Sequence, residues 1–314
     1  MDRDPACGYR QMTMRLRLKH DLRVRRNDVM LVMRHTDPIG TISRRSRRLH
    51  RRTYESQGPD YVWHIDGHDK LKPYGLCIHG CIDGFSRKIM WLKACPSNND
   101  PVAVASFYVD TAQHFHVQPA IIRSDRGTEN VNVAAIQEFL GAKHFYGTSQ
   151  RNQRIEALWS ILMYRGGLHR WREHFQDMVA EEQFGGTDID FACIRYCYKG
   201  LLQRELNDFV NYWNVHNIRG VGKPDVLHSS DATCGKAISQ ARLNDNDVQE
   251  SYSHRETYTG NEDIDQYFEQ LFNDMNIHLD QIDSLEIAKL IYLRVREIAV
   301  RNDDELDRLQ LREA

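Results

Sequence analysis

Long apolar runs are missing from this sequence. None approaches the ~20 residues that a bilayer-crossing helix needs, and the opening MDRDPACGYRQ has no apolar core of the kind that directs secretion. Neither a membrane nor a secreted protein is expected. The seven cysteines are odd in number and scattered, which argues against a disulfide framework and for a reducing compartment. Internal repeats are absent, as are low-complexity tracts beyond one arginine cluster. No His-His-Cys-Cys zinc module stands near the N-terminus.

What is present is a globular composition, 41% apolar and 27% charged over 314 residues, enough for about two domains. The net charge of −2 hides a strong asymmetry. Residues 1–60 carry 15 Lys and Arg against 7 Asp and Glu, residues 61–240 carry 19 of each, and residues 241–314 carry 8 against 18. A basic arm, a neutral centre and an acidic tail follow. The basic arm suits phosphate contacts, because neutralising phosphates releases counterions.

The arm reads as two short helices with a turn between them. Met12, Leu16 and His20 share one face of the first, and Val29, Val32 and Met33 one face of the second. This is a helix-turn-helix pattern, which a basic solvated hairpin would also produce. The run RRSRRLHRR, with Arg44, Arg45, Arg47, Arg48, Arg51 and Arg52, reads as a nucleic-acid patch or a nuclear-import signal. Nuclear localisation is the expectation.

Gly-Pro in SQGPD marks a boundary near residue 58. Strand patterning follows: YVWHID ending at Asp66, then GLCIHGCID and RKIMWLKAC as a hairpin. Asp100 and Pro101 open a helix, AII is a buried strand ending at Asp125, and VNVAAIQEFLG is a second helix. A short strand around KHFYG precedes a long helical segment starting near Asn152. The order β, hairpin, α, β, α, β, α predicts an α/β domain with a mixed sheet. The expected organisation is an arm over 1–58, a core over 59–182, a helical extension over 183–240 and an acidic helical tail over 241–314. In the tail, Ile264, Tyr267, Phe268, Leu271, Phe272 and Met275 form an apolar stripe at helical spacing.

Three acids stand where elements begin or end: Asp66, Asp125 and Glu156. An acid at a strand end is more often a turn former than a ligand. Three converging carboxylates repel one another, and the usual resolution is a divalent cation, Mg²⁺ or Mn²⁺ for hard oxygen donors. Cys77, His79, Cys81 and Asp83 alternate along one strand, a spacing better suited to filling a sheet face than to completing a metal tetrahedron. Cys193 and Cys197 read as one apolar helix face. His64 is expected to point away from the neighbours of Asp66, and His68 to touch DNA or nothing.

Taken in order, WHIDGHDKL, GCIDGFSRKI, IRSDRGTEN and RNQRIEALW resemble the integrase core of retroelement integrases and DDE transposases. More narrowly, they resemble the integrase-core-domain proteins of animal and fungal genomes. The resemblance spans about 60–180, with weaker likeness in GYRQMTMRLR upstream and FVNYWNVHNIRGVGKPD downstream. It implies a ribonuclease-H-like fold in which Asp66, Asp125 and Glu156 are the catalytic acids and hold two Mg²⁺ or Mn²⁺ ions. Asn152 matches a polar position near the third acid, where it would bond substrate or an acid. Retroviral cores have a longer interval before the third acid than the residues 126–155 found here, so a shorter loop or helix is expected.

The implied function is DNA integration or transposition by metal-dependent polynucleotidyl transfer: 3′-end processing, then strand transfer. Arg123, Arg126, Arg151 and Arg154 flank the acids and are candidates for holding phosphates. DNA is the expected partner, with no membrane and no small-molecule substrate. Joining two ends requires at least a dimer, expected to form through the core or the 264–275 stripe. The alternative is a non-catalytic, host-retained relic of a mobile element that binds DNA or protein.

Overall fold

The computed structural model describes residues 9–39, 41, 56–147, 152–229, 233–238, 243, 248–249, 252 and 257–302. Arg44, Arg45, Arg47, Arg48, Arg51, Arg52 and Arg151 lie outside the described residues. The chain forms two compact units, Met1–Tyr54 and Glu55–Ala314.

The first unit contains α1 (Tyr9–His20) and α2 (Arg26–Thr36), the expected pair. Asp21 turns the chain out of α1 with φ 49°, a left-handed conformation that aspartate tolerates. Val29 is buried and Met33 half-buried, but Val32 is exposed. Two helices alone cover only a narrow stripe, and Val32 falls off its edge.

In the second unit the hairpin strands β1 (Val62–His68), β2 (Cys77–Asp83) and β3 (Ile89–Cys95) run antiparallel. Helix α3 (Pro101–Phe115) follows, capped by the Asp100 carboxylate, which accepts the Val102 N–H at 2.8 Å. The short β4 (Val117–Gln118) leads to β5 (Ile121–Ser124), α4 (Val131–Phe139) and β6 (Lys143–Tyr146). Strand β5 lies parallel to β1, and β6 parallel to β5. The five-stranded order β3-β2-β1-β5-β6 is the mixed, ribonuclease-H-like sheet that was expected.

The long helical segment is two helices, α5 (Gln153–Tyr164) and α6 (Leu168–Ala180), broken at Gly167, whose φ is 80°. Then come α7 (Asp188–Val215), α8 (Pro224–His228), β7 (Lys236–Ala237, paired with β4), α9 (Glu262–Asp274) and α10 (Leu285–Arg301). No helix among the described residues is long and apolar enough to cross a membrane.

Strand alternation divides the core in two. Trp63, Ile65, Cys77 and Cys81 face α3 and α4. Ile78, Ile82 and Leu92 face the other way, onto a layer that includes Ile155, Leu158 and Trp159 of α5, Cys193 and Cys197 of α7, and residues of α6, α9 and α10. The stripe on α9 belongs to this second core: Ile264, Phe268 and Phe272 are buried, and both phenylalanine rings pack on Tyr196 of α7. It is therefore not a free surface for self-association. Amphipathic spacing requires a covered face but does not say what covers it.

The outer edge of β3 is closed by side chains rather than by another strand. Asn214 of α7 accepts the Ile89 N–H at 2.9 Å and donates to the Ile89 carbonyl at 3.0 Å. Three turns earlier, Gln203 accepts the Ala94 N–H at 2.8 Å and donates to the Leu92 carbonyl at 3.0 Å. An open edge invites pairing with another chain, and these amides remove it. Asn214→Ala is expected to cost on the order of 2 kcal/mol, because it strands two buried backbone groups. Urea unfolding would measure the loss, and unchanged stability would show that the amide carries no such role.

Candidate active site

Asp66 lies inside β1 rather than at its end, because Gly67 and His68 continue the ladder with His79 and Ile78 of β2. On the other side, pairing with β5 stops earlier. The last parallel pair is His64 with Arg123, and β5 itself ends at Ser124. Asp66 lies two residues past that pair in β1, and Asp125 is the first residue after β5, near enough for its charge to be felt at Asp66. Both residues stand where β5 leaves β1.

The chain after Asp125 turns locally. Asp125 Oδ1 accepts the Gly127 N–H at 3.2 Å and, at 3.4 Å, the Asn130 amide. Gly127 has φ −74°, so this turn does not need glycine's left-handed freedom. A Cβ there would instead meet the Glu129 carboxylate at 1.9 Å. Glu129 itself accepts from Asn130 at 2.7 Å.

Helix α5 brings the third acid. Ile155, Leu158, Trp159 and Leu162 form its buried stripe, and Glu156 stands exposed beside that stripe. Asn152, just before the helix, is buried and turned inward. Its amide nitrogen donates to the Ile65 carbonyl at 2.9 Å, which leaves its oxygen facing His64 Nδ1 at 2.6 Å. His64 therefore carries its proton on Nδ1 and donates it. Asn152 thus joins the start of α5 to β1 beside Asp66, where a contact to DNA was expected. His64 shares the face of Asp66, as residues two apart in a strand must, so its expected orientation is corrected. Burial holds its pKa down at about 4, with the Asn152 bond opposing and the charges of Arg123 and Arg154 adding to the fall.

The electrostatics tie the acids together. The Asp66 carboxyl is pushed up from 3.8 to about 7, chiefly by burial. The Trp159 N–H, donated to Asp66 Oδ2 at 2.9 Å, opposes this, while the negative charges of Asp125 and Glu156 raise it further. A carboxyl whose pKa rises on folding stabilises the fold below its unfolded value, and that contribution is lost as pH climbs through the folded one. Metal-free protein is therefore expected to lose stability between pH 3.8 and about 7. Asp66→Asn, which cannot ionise, should flatten that part of the profile in thermal melts. Identical slopes in both proteins would contradict it.

Three carboxylates, two of which raise the pKa of the third, are a donor set suited to a hard divalent cation that would relieve their repulsion. Among the described residues no three His, Cys, Asp or Glu side chains are already gathered to hold a metal ion. One Asp66 oxygen accepts from Trp159, one Asp125 oxygen accepts from Gly127, and Glu156 is exposed.

Of the arginines, Arg154 donates to the Gly84 carbonyl at 3.1 Å and so fastens α5 to the β2–β3 turn. Arg123 is half-buried and Arg126 exposed. His68 is buried, stacked on Trp159 at 4.9 Å, and burial holds its pKa at about 4. Cys77, His79, Cys81 and Asp83 are all buried. Cys77, His79 and Cys81 fill the sheet face, while Asp83 orders the β2–β3 turn by accepting from Asp60 N, Ser86 N and Ser86 Oγ.

Nothing in the local sequence around Trp159 signals its bond to Asp66. The available hint was Gly80 within β2, since glycine inside a strand often marks close approach by another group.

No curated protein matches the chain. Among solved structures, the chain is similar to the HTLV-2 integrase catalytic core domain in complex with magnesium. Its trimeric form is 14% identical, with 55% of this chain and 99% of that one covered and a TM-score of 0.39. The dimeric form is 15% identical, covering 56% and 100%, with a TM-score of 0.38. The simian T-cell lymphotropic virus intasome in complex with PP2A regulatory subunit B56 gamma is 14% identical, covering 76% and 79%, with a TM-score of 0.40. The integrase core domain model matches residues 53–227. That is more than half of the chain and takes in every element that carries Asp66, Asp125 and Glu156, so the chain belongs to the integrase core domain family.

Proposed function

We propose that this protein is a metal-dependent polynucleotidyl transferase of integrase type, acting on DNA ends and joining them to target DNA. The observation that carries the reading is that Asp66, inside β1, feels the charges of both Asp125, just past the end of the neighbouring β5, and Glu156 of α5. Family membership supports a role of DNA-integration type.

Asp66, Asp125 and Glu156 would hold Mg²⁺ or Mn²⁺, two ions in the full site. Bound there, the metal supplies activation of the attacking oxygen and neutralisation of charge on the phosphate. The protein's own residues do the rest. Burial and Trp159 hold Asp66 in place, and the Asn152–His64 clamp fixes the start of α5 against β1 so that Glu156 is presented beside the acids. Arg123 and Arg126, with Arg154 at the helix start, bind the phosphates flanking the cut. The basic arm, including Arg44, Arg45, Arg47, Arg48, Arg51 and Arg52, adds sequence-independent phosphate contacts that weaken with salt. Two ends call for at least two protomers. Work on chromosomal DNA would place the protein in the nucleus.

The test is a strand-transfer assay with labelled duplex ends and Mg²⁺ or Mn²⁺. Joined product that requires the divalent ion supports the reading. Salt-sensitive DNA binding without any cutting or joining, under either ion, supports the non-catalytic alternative instead.

A further inference from the structure

We propose that Trp159 is a positioning residue of the acidic site: its indole N–H fixes the carboxylate of Asp66, and Gly80 is glycine so that the indole can reach it. This rests on the reading of Asp66 as a metal-binding acid.

The hydrogen bond is direct, Trp159 Nε1 to Asp66 Oδ2 at 2.9 Å. An indole N–H can only donate, and it keeps its proton throughout the biological pH range. It therefore assigns Oδ2 a permanent partner.

The ring is held from two sides. Gly80 sits directly opposite Asp66 on the neighbouring strand and so lies on the same face. A Cβ at Gly80 would come within 2.6 Å of Trp159 Cη2 and 2.8 Å of Leu92 Cδ2, distances at which something must move. Only a bare backbone opposite Asp66 lets the indole lie this close. His68, two residues beyond Asp66 on the same face, stacks on the indole with centroids 4.9 Å apart and planes 21° from parallel.

Trp159 also stands one turn after Glu156 on α5. The helix that carries the third acid thus carries the group that orients the first. A fixed Trp159–Asp66 bond makes the relation between Glu156 and Asp66 a property of rigid elements rather than of a loop.

A ring that merely filled space would be replaced by another ring without consequence for Asp66. Trp159→Phe keeps an aromatic ring between Gly80 and His68 and deletes the N–H. We expect Mn²⁺ binding, followed by calorimetry on the full chain, to weaken roughly 10-fold, the scale on which outer-shell partners act. Strand transfer should fall in kcat by roughly 10- to 100-fold with KM for DNA unchanged. Gly80→Ala should reproduce both effects by displacing the indole, and should add little in the Trp159→Phe background. Asp66→Asn is the reference. If it abolishes Mn²⁺ binding while Trp159→Phe and Gly80→Ala, folded by thermal melt, bind Mn²⁺ like the parent, the positioning role is overturned and the metal reading stands. If Asp66→Asn itself leaves Mn²⁺ binding intact, both fall.

Discussion

Asp125→Asn is expected to lower divalent-ion-dependent strand transfer by roughly 1000-fold or more, about 4 kcal/mol in the barrier, with the fold intact. The substitution isolates charge from geometry. Asp125 Oδ1 accepts the Gly127 N–H and the Asn130 amide, and an asparagine Oδ1 accepts the same two bonds, so the turn after β5 survives. What disappears is one anionic oxygen donor to a metal, together with one of the two like charges that push Asp66 upward. In the metal-free variant the Asp66 carboxyl should move back toward its ordinary range and the melting temperature should hold or rise. A protein that still joins DNA ends at the parental rate would remove Asp125 from the site. Glu129 is the internal control. Its carboxylate is bonded to Asn130 and lies over Gly127, so Glu129→Gln should leave strand transfer within a few-fold of the parent. A large loss there would mean that the wrong acid of IRSDRGTEN had been assigned.

The sheet and the neighbourhood of the acids were legible in the sequence because they depend on local patterns. Alternation marks β2 and β3, Asp100-Pro101 marks the start of α3, and an apolar run that stops at a charged turn marks β5. What could not be read depends on partners far away in the chain. Gly67 looked like the end of β1, whereas the strand continues to His68 because β2 still pairs with it after β5 has left. Asn152 looked like a ligand-facing group one turn before Glu156. Its place at the entrance to α5 points it instead at Ile65 and His64, 87 and 88 residues away. The tie from Trp159 to Asp66 spans 93 residues and has no local signature except a glycine where a strand ordinarily carries a side chain.

The largest effect on stability is expected at Phe268, in a segment whose acidity suggests a solvated tail. Phe268→Ala should cost about 3–5 kcal/mol, the usual range for emptying a buried phenylalanine site. At about 2–4 °C per kcal/mol for chains of this size, the melting temperature should fall by roughly 10 °C. The ring is fully buried, lies 5.1 Å from Tyr196 and sits between Ile264 and Phe272 on the same helical stripe. The backbone before α9 is fastened as well: Asp265 accepts from Tyr258 N, Thr259 N and Thr259 Oγ1, so α9 is anchored at its start and along its face. A cavity there cannot close by letting the helix drift. The same experiment separates an internal core from an interface between copies. If the stripe packed against a second protomer, the loss would depend on protein concentration and the variant would shift to smaller species in size-exclusion chromatography. Packing on Tyr196 predicts a concentration-independent loss, no change in elution, and near-neutral behaviour for Glu269→Ala on the exposed side of the same helix.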